Sequence, residues 1–222
     1  MRGKAHVCIS AFLCQAFAVL LYKDFTPIPL VIGALFGIFA DIDEEQSKIS
    51  YLLIGKLGVS KKSNNYGYRK GNTQKDVAVK MLRQTALTLV MILLGIFLYF
   101  LSEKNMYFAF GCFYLSAIPW TKHRTLSHSI FSSLVVGISA YLSFNLYGFP
   151  KYGVYCGVGY FLHIFEDTFT ASGTPLLYPF SKKHFKIPLM KTGTTKGALV
   201  EFAFMCISFS ICVAAYIFMI KM

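Results

Sequence analysis

Residues 152–170 read YGVYCGVGYFLHIFEDTFT and decide the fold class of the chain. The stretch is close to the roughly 20 apolar residues that a helix needs to cross the hydrocarbon core of a bilayer. Near its end it carries His163 and Asp167, which are four residues apart. Their side chains therefore lie on one face of a helix and can bind one metal ion, or two ions with one bridging. The stretch predicts a membrane helix that ends in metal ligands.

Six further stretches are almost as apolar: 5–22, 27–40, 85–101, 106–120, 130–146 and 198–220. The chain is 55% hydrophobic and only 14% charged, which is far from the balance of soluble proteins. These patterns predict an all-α, polytopic helical membrane protein with about six to seven membrane segments. Residues 27–40 and 106–120 are short for a span and are expected to be tilted helices, half-helices or re-entrant elements. No small-x-small cleavage site follows the first stretch, so we expect it to be retained.

The basic residues predict how the segments are oriented. The net charge is +12, but no nucleic-acid motif is present and the basic residues fall between the spans, so no nucleic acid is expected as a partner. With a cytoplasmic N-terminus and a crossing at each of the seven stretches, 18 of the 22 Lys and Arg residues lie inside. We therefore expect one domain, 1–222, with basic cytoplasmic excursions at about 44–84 and 171–197.

This topology places eight possible metal ligands at one membrane face, the cytoplasmic one. They are His6, Asp41, Asp43, His123, His128, His163, Asp167 and Glu201. The convergence is independent of the residues that set the topology, because lysines and arginines are not the ligands. Imidazole and carboxylate together suit zinc, manganese or iron better than calcium. Two or more divalent ions are expected, and zinc is favoured.

Several of these residues also have simpler interpretations. His6 could be an interfacial or capping residue, and Asp41 and Asp43 could be ordinary charges beside the membrane, as we expect Glu44 and Glu45 to be. His184 lies in a lysine-rich loop and is expected to be solvated. The six cysteines lie in apolar stretches without CxxC spacing, which indicates neither disulfides nor a thiolate metal site.

Two short motifs predict where chain segments end. Asp41 and Asp43 are too closely spaced to share a helical face, so we expect them where an element frays into a loop. His123 and His128 are five residues apart, which requires a bend or a helix start between them, and Ser127 is the expected N-cap of the following helix.

Three motifs carry a resemblance to a known family. ADID at 40–43, HRTLSHS at 123–129 and GYFLHIFEDTFTASGTPLLYP at 159–179 resemble the YdjM-like, LexA-regulated family of bacterial inner-membrane, metal-dependent hydrolases. The order of the motifs covers the chain from His6 to Glu201. Family sequences usually carry proline where Ala40 and Ala171 stand. The His-x3-Asp element is also similar to that of zinc-dependent phospholipases C and nucleases, which favours phosphoester cleavage.

The resulting hypothesis is a hydrolase that uses a metal-activated water at the cytoplasmic interface of the bacterial inner membrane. Asp43 is the expected catalytic carboxylate, and Arg124 could bind a phosphate oxygen or only contact lipid. Membrane lipids are the expected partners, and a phospholipid or another amphiphilic phosphoester is the expected substrate. A divalent-metal transporter, a non-catalytic metal-binding protein and a structural membrane protein are the alternatives, because intramembrane acids and histidines also mark ion pathways.

Overall fold

The computed structural model describes residues 3–44, 52–54, 74–103 and 105–222. Besides a short helical segment at 52–54, seven α-helices follow one another within these ranges: α1 (Gly3–Tyr22), α2 (Ile28–Phe39), α3 (Gln74–Leu101), α4 (Met106–Ala117), α5 (Ile130–Asn145), α6 (Pro150–Thr168) and α7 (Thr195–Lys221). Two 3-10 turns, Ala40–Asp43 and Ile118–Trp120, continue α2 and α4. The all-α fold class is confirmed. Most of the first basic excursion, 45–51 and 55–73, lies outside the described residues.

The helices differ in how well they match a bilayer. Three of them, α1, α3 and α7, are long and apolar enough to cross a membrane. In contrast, α2 and α4 have 12 residues each, which is about 18 Å of helix against a hydrocarbon core of roughly 30 Å. The two short stretches are thus complete helices of reduced length, each lengthened by its 3-10 turn.

Glycines bring α1, α2 and α6 into very close contact. A Cβ atom built on Gly37 of α2 would lie 2.5 Å from the Cβ atom of Ser10 in α1, and one on Gly159 of α6 would lie 3.1 Å from the Cα atom of Gly33 in α2. Only glycine permits backbones to approach so closely. The three helices therefore pack as a tight unit, and this unit supports the site described below.

The remaining helices are added around that unit. Helix α5 packs against α6, α4 against α5, α3 against α4, and α7 against α1. A hydrophobic cluster fills the space behind the site and consists of Ala40, Ile42, Leu87, Met91, Leu115, Ile118, Val136, Tyr160 and Ile164. On α3 and α7, large apolar side chains such as Phe97, Phe100 and Phe202 are exposed. Such continuous apolar faces are typical of helices that contact lipid.

Successive connections alternate between the two ends of the bundle. At one end, the Tyr147 hydroxyl donates to the Ser102 carbonyl at 2.7 Å, and Lys151 pairs with Asp24 at 2.8 Å. At the other end, the Ile130 amide donates to the Leu176 carbonyl at 2.9 Å. The second end also holds the 3-10 turn after α2 and the start of α1, so most predicted metal ligands lie at one end of the fold.

Candidate metal centre

Three buried imidazoles from distant parts of the chain meet at this end. His6 comes from the first turn of α1, His163 from the last turns of α6, and His128 from the loop just before α5. The rings of His6 and His163 stack with centroids 4.0 Å apart, and those of His128 and His163 are 5.1 Å apart. All three side chains are at most 1% exposed. Burying so much imidazole is unfavourable unless the nitrogens have partners.

The Nδ1 atoms of these imidazoles are held from outside the centre. In His163, Nδ1 lies 2.7 Å from the Gly37 carbonyl oxygen, and in His6 it lies 2.7 Å from the Glu166 Oε2 atom. A carbonyl oxygen only accepts, so the His163 Nδ1 atom carries the proton and Nε2 is left with its lone pair. A histidine that binds metal typically has its other ring nitrogen held in this way by a carbonyl or a carboxylate.

His128 is also held at Nδ1, here by a hydroxyl, which can either donate or accept a hydrogen bond. Its Nδ1 atom lies 2.8 Å from the Ser127 hydroxyl, and its Nε2 atom lies 3.3 Å from the Nε2 atom of His163. Two neutral imidazoles with protonated Nδ1 atoms would direct two lone pairs at each other over this distance. An arrangement of facing acceptors is stabilised when a cation lies beside both nitrogens.

Two carboxylates complete the cluster of Nε2 atoms. The Asp41 Oδ1 atom lies 3.4 Å from the Nε2 atom of His163 and 3.5 Å from that of His128. The Asp167 Oδ1 atom lies 3.3 Å from the Nε2 atom of His6, and its Oδ2 atom lies 3.4 Å from that of His128. These distances exceed the usual 2.7 to about 3.2 Å of a good N–H···O hydrogen bond. They resemble the separation of neighbouring ligand atoms around one ion, each at about 2.0–2.2 Å from it.

The ligand atoms form two groups that could each hold an ion. One group is His6, His163 and Asp167, and the other is Asp41, His123 and His128, with the chosen atoms of each group within 4.8 Å of one another. His123 lies on the open side of the second group, where its side chain is 30% exposed and its ring centroid is 5.0 Å from that of His128. The geometry therefore supports a pair of adjacent metal sites, one buried and one open to an incoming molecule.

The electrostatic balance of the cluster also favours bound cations. The Asp41, Asp167 and Glu166 carboxylates contact its imidazoles, and among the described side chains the Arg124 guanidinium pairs with Asp167. Burial would lower the pKa of His128, but hydrogen bonds with Asp167 and Asp41 and their negative charge outweigh burial and raise that pKa to about 9. The carboxylates thus attract positive charge strongly, and divalent ions can supply it in place of protons.

Arg124 is placed by an unusual backbone conformation. Its φ angle is 60°, in the left-handed region that costs a residue with a Cβ roughly 1–2 kcal/mol. In this conformation Nη2 lies 2.9 Å from the Asp167 Oδ2 atom, while Nη1 donates to the Thr170 hydroxyl at 3.2 Å. Arg124 therefore holds a candidate ligand and ties the loop after α6 to the site. Its predicted contact with a phosphate oxygen stays a prediction.

Some of the predicted ligands are placed differently. The side chain of Asp43 lies outside the described residues, so its predicted roles as ligand and catalytic carboxylate stay predictions. Glu201 is buried near the start of α7, but among the described residues it does not belong to either group of ligand atoms. Helix α7 packs against α1, and its Phe204 contacts Phe169 at the end of α6. His184 is exposed, as expected of a solvated loop residue.

The structure also places two carboxylates at the site that were not predicted as ligands, Glu166 and Glu44. Glu166 holds the Nδ1 atom of His6 and also accepts a hydrogen bond from the Ser10 hydroxyl at 2.9 Å. Glu44, predicted to be an ordinary charge beside the membrane, has its Oε2 atom 3.4 Å from the His123 Nε2 atom. A signal for Glu166 was available, because a carboxylate three residues after His163 in an apolar helix is costly without a partner.

The predicted N-cap of α5 is corrected by two residues. Ser129 is the N-cap, since its hydroxyl accepts a hydrogen bond from the Ser132 amide at 3.2 Å. The hydroxyl of Ser127 instead holds the ring of His128. Serine is a preferred N-cap residue at both positions. The Ser127 hydroxyl contacts the His128 ring, and the Ser129 hydroxyl caps the helix.

One of three comparisons with known proteins found a match. Searches of curated proteins and of solved structures each found no match. A family model described as YdjM inner membrane protein matches residues 1–221, which is almost the whole chain. Because this match covers almost the whole chain, the chain belongs to the YdjM inner membrane protein family. Its three long apolar helices agree with a membrane protein.

Proposed function

We propose that this chain is a membrane-embedded, metal-dependent hydrolase that cleaves a phosphoester. The observation that carries the proposal is the direction of the three buried imidazoles of His6, His128 and His163. Each is held at Nδ1 and presents Nε2 toward the Asp41 and Asp167 carboxylates. A bound pair of divalent ions would lower the pKa of a water molecule toward neutrality and stabilise the entering and leaving oxygens of a phosphoryl group.

Neighbouring residues of the protein hold the candidate metal ligands in fixed positions, which such chemistry needs. Glu166 and the Gly37 carbonyl fix the rings of His6 and His163, and Arg124 fixes the carboxylate of Asp167. Burial excludes bulk water from one group of ligands, whereas His123 and Glu44 are partly exposed at the other. Substrate would therefore approach from the side of His123, where a ligand position can be shared with it.

We further propose that the bundle crosses the membrane seven times, with the metal centre at the cytoplasmic face. The alternation of the connections between the two ends of the bundle supports this topology, and so does the excess of Lys and Arg in the segments at the end of the metal centre. Reporter proteins fused after Lys186 should be cytoplasmic, and those fused after Tyr147 should lie across the membrane. A cytoplasmic reporter at Tyr147 would contradict the topology.

The hydrolase proposal is tested by turnover in detergent. Purified protein should cleave a soluble phosphoester, lose the activity on chelation and regain it with zinc or manganese. The variant Asp43→Asn should reduce turnover by about 100-fold or more while the protein stays folded, because an amide is nearly isosteric but cannot supply a charged ligand oxygen. His184→Asn is the matched control, since His184 is an exposed loop residue, and it should keep full activity.

A transporter is the second candidate, and one observation favours it. Buried polar side chains follow His6 along α1, namely Ser10 and Gln15, and lead toward Asp24 at the far end. Transport sites, however, are expected near the middle of the membrane between broken helices, whereas the metal centre lies at one end of the fold. Metal accumulation by sealed vesicles, without cleavage over a wide panel of phosphoesters, would favour transport and contradict the hydrolase.

A further inference from the structure

The connection between α6 and α7 carries several large apolar side chains that are exposed. Residues 177–191, termed the basic segment, read LYPFSKKHFKIPLMK. Phe180 is 88% exposed, and Leu177, Ile187 and Leu189 are each about half exposed. Such a concentration of exposed apolar side chains marks contact with another molecule or with a membrane.

Backbone hydrogen bonds hold the basic segment in place. The Phe185 amide donates to the Thr174 carbonyl oxygen at 2.8 Å, and the Thr174 amide donates to the Phe185 carbonyl oxygen at 3.0 Å. Gly173 permits this approach, because a Cβ atom there would collide with the Phe185 carbonyl oxygen. The Ile187 amide donates to the Thr168 carbonyl oxygen at 2.7 Å. The apolar side chains are therefore exposed on a fixed backbone, which cannot turn them inward without breaking these bonds.

The same contacts place the basic segment at the depth where helices end. Thr168 is the last residue of α6, and the Leu189 amide donates to the carbonyl oxygen of Phe169 at 3.2 Å. The Phe169 ring lies 5.4 Å from that of Phe204 in α7. Helix α7 is long and apolar enough to cross a membrane and begins shortly after the segment. The segment thus lies at the level of lipid headgroups, where aromatic side chains are common.

The charges along this connection have one sign. Between Asp167 and Glu201 the sequence contains five lysines and no carboxylate. The lysines are all exposed and are Lys182, Lys183, Lys186, Lys191 and Lys196. Lys191 and Lys196 line a depression of about 510 Å³ together with Leu189. Apolar and cationic side chains on one surface match anionic lipid, whereas a second copy of this chain would present the same lysines and be repelled.

We infer that the basic segment is a docking surface for anionic phospholipid headgroups in the leaflet around the metal-centre end of the bundle. Its apolar side chains enter the interface, and its lysines contact phosphate groups. Binding requires neither a metal ion nor hydrolysis, so the inference goes beyond the proposed function. The contact holds the metal centre beside the headgroups, because Arg124 pairs with Asp167 and donates to Thr170, which is bridged to Met190 of the segment.

A fluorescent reporter in the segment tests this inference. The full chain with Trp120→Phe and Phe180→Trp carries one tryptophan, at position 180. It is reconstituted in bilayers that contain equal amounts of phosphatidylglycerol and phosphatidylcholine, of which one or the other has brominated acyl chains. Brominated phosphatidylglycerol should quench the fluorescence about twofold more strongly, because the lysines enrich the anionic lipid near the segment. High salt should reduce this difference, since it screens exposed charges.

Two matched double variants identify the charges responsible. Lys182→Gln/Lys183→Gln should make quenching by the two brominated lipids nearly equal. Lys80→Gln/Lys122→Gln is the control, because these exposed lysines lie at the same end of the fold but outside the segment, and it should keep most of the difference. Equal effects of the two double variants would overturn the inference. Weak quenching by both lipids would also overturn it, because the segment would then lie away from the bilayer.

Hydrogen exchange of the unmodified protein provides a measurement that needs no reporter. Backbone amides of residues 177–191 should exchange severalfold more slowly in nanodiscs of phosphatidylglycerol than in nanodiscs of phosphatidylcholine. Residues 146–149, at the other end of the bundle, should exchange equally in both. Equal exchange of the basic segment in the two lipids would overturn the inference. Protection that depends on protein concentration and not on lipid charge would assign the surface to a second copy of the chain and overturn it as well.

Discussion

The bundle contains a buried polar cluster at each end, and the two are built on different principles. At the end away from the metal centre, the Asp24 carboxylate accepts hydrogen bonds from Thr26 through Oδ1, and from Lys151 and Tyr155 through Oδ2. Each of these pairs joins a donor to an acceptor, so the cluster is complete by itself. It ties the loop between α1 and α2 to the start of α6.

At the other end, groups of the same kind face one another. The Nε2 atoms of His128 and His163 are 3.3 Å apart. The carboxylates of Asp41 and Asp167 lie 3.4–3.5 Å from these nitrogens, and Asp167 also lies 3.3 Å from the Nε2 atom of His6. Paired donors and acceptors join helices, whereas converging acceptors form a site for a cation. The comparison therefore distinguishes a structural cluster from a cluster that could hold a cation within one fold.

The largest effect should come from removing an imidazole that joins the two metal groups. His163→Ala should weaken metal binding by more than about 100-fold and abolish turnover, because its Nε2 atom lies between Asp41 and His128. The measurement is isothermal titration of metal-free protein with zinc. Retention of full zinc affinity in this variant would show that the imidazoles converge for structural reasons only.

A smaller loss of zinc affinity should follow from changing a residue that holds a ligand but is not a ligand itself. Glu166→Gln keeps the shape of the side chain but weakens its hold on the Nδ1 atom of His6. Zinc affinity should fall about 10- to 100-fold, which is typical when a group that orients a ligand is altered. Glu201→Gln is the matched control, because Glu201 is also buried in an apolar helix but belongs to neither ligand group. Equal losses in the two variants would contradict the assignment of Glu166.

The smallest effect on metal binding should come from the cluster at the far end. Asp24→Asn should destabilise the protein by about 2 kcal/mol, because it removes a charge that pairs with Lys151 in a mostly buried setting. Zinc affinity should stay unchanged. The check is the free energy of unfolding in detergent, measured beside a zinc titration of the same variant. Loss of zinc together with stability would mean that the two ends are not independent.

The pH dependence of stability provides a second test of the Asp24 cluster. Burial would raise the pKa of Asp24, but hydrogen bonds from Lys151 and Thr26 outweigh it and hold the pKa below its ordinary value of 3.8. A depressed pKa gives stability that is fully present above the ordinary value and is lost as the pH falls through the folded-state pKa. For metal-free protein, the difference in unfolding free energy between wild type and Asp24→Asn should therefore shrink as the pH falls from 6 to 3.

The helices and many residues of the candidate site could be predicted from the sequence. Apolar stretches predict the helices because a membrane helix depends on composition more than on particular contacts. The i, i+4 spacing of His163 and Asp167 predicts that they meet, and positive charges between the spans predict which helix ends lie together. The structure places His6, Asp41, His123 and His128 at the same end of the fold, as this prediction requires.

The rest depends on tertiary contacts that leave no local signal. The N-cap of α5 falls on Ser129 because Ser127 is engaged by His128. Glu201 lies near the start of α7, which packs against α1, and it belongs to neither ligand group among the described residues. The close approach of α1 and α2 at Gly37, which lets its carbonyl oxygen hold His163, is likewise visible only in three dimensions.

The central claim is that the histidine and aspartate cluster binds divalent ions and that the Asp24 cluster does not. Metal analysis of protein purified in detergent, dialysed against zinc and then freed of unbound ions, tests it most directly. The two ligand groups predict two ions per chain for wild type and for Asp24→Asn, and a clear loss for His163→Ala. A wild-type protein that retains no divalent ion, or an Asp24→Asn variant that loses as much as His163→Ala, would contradict the account.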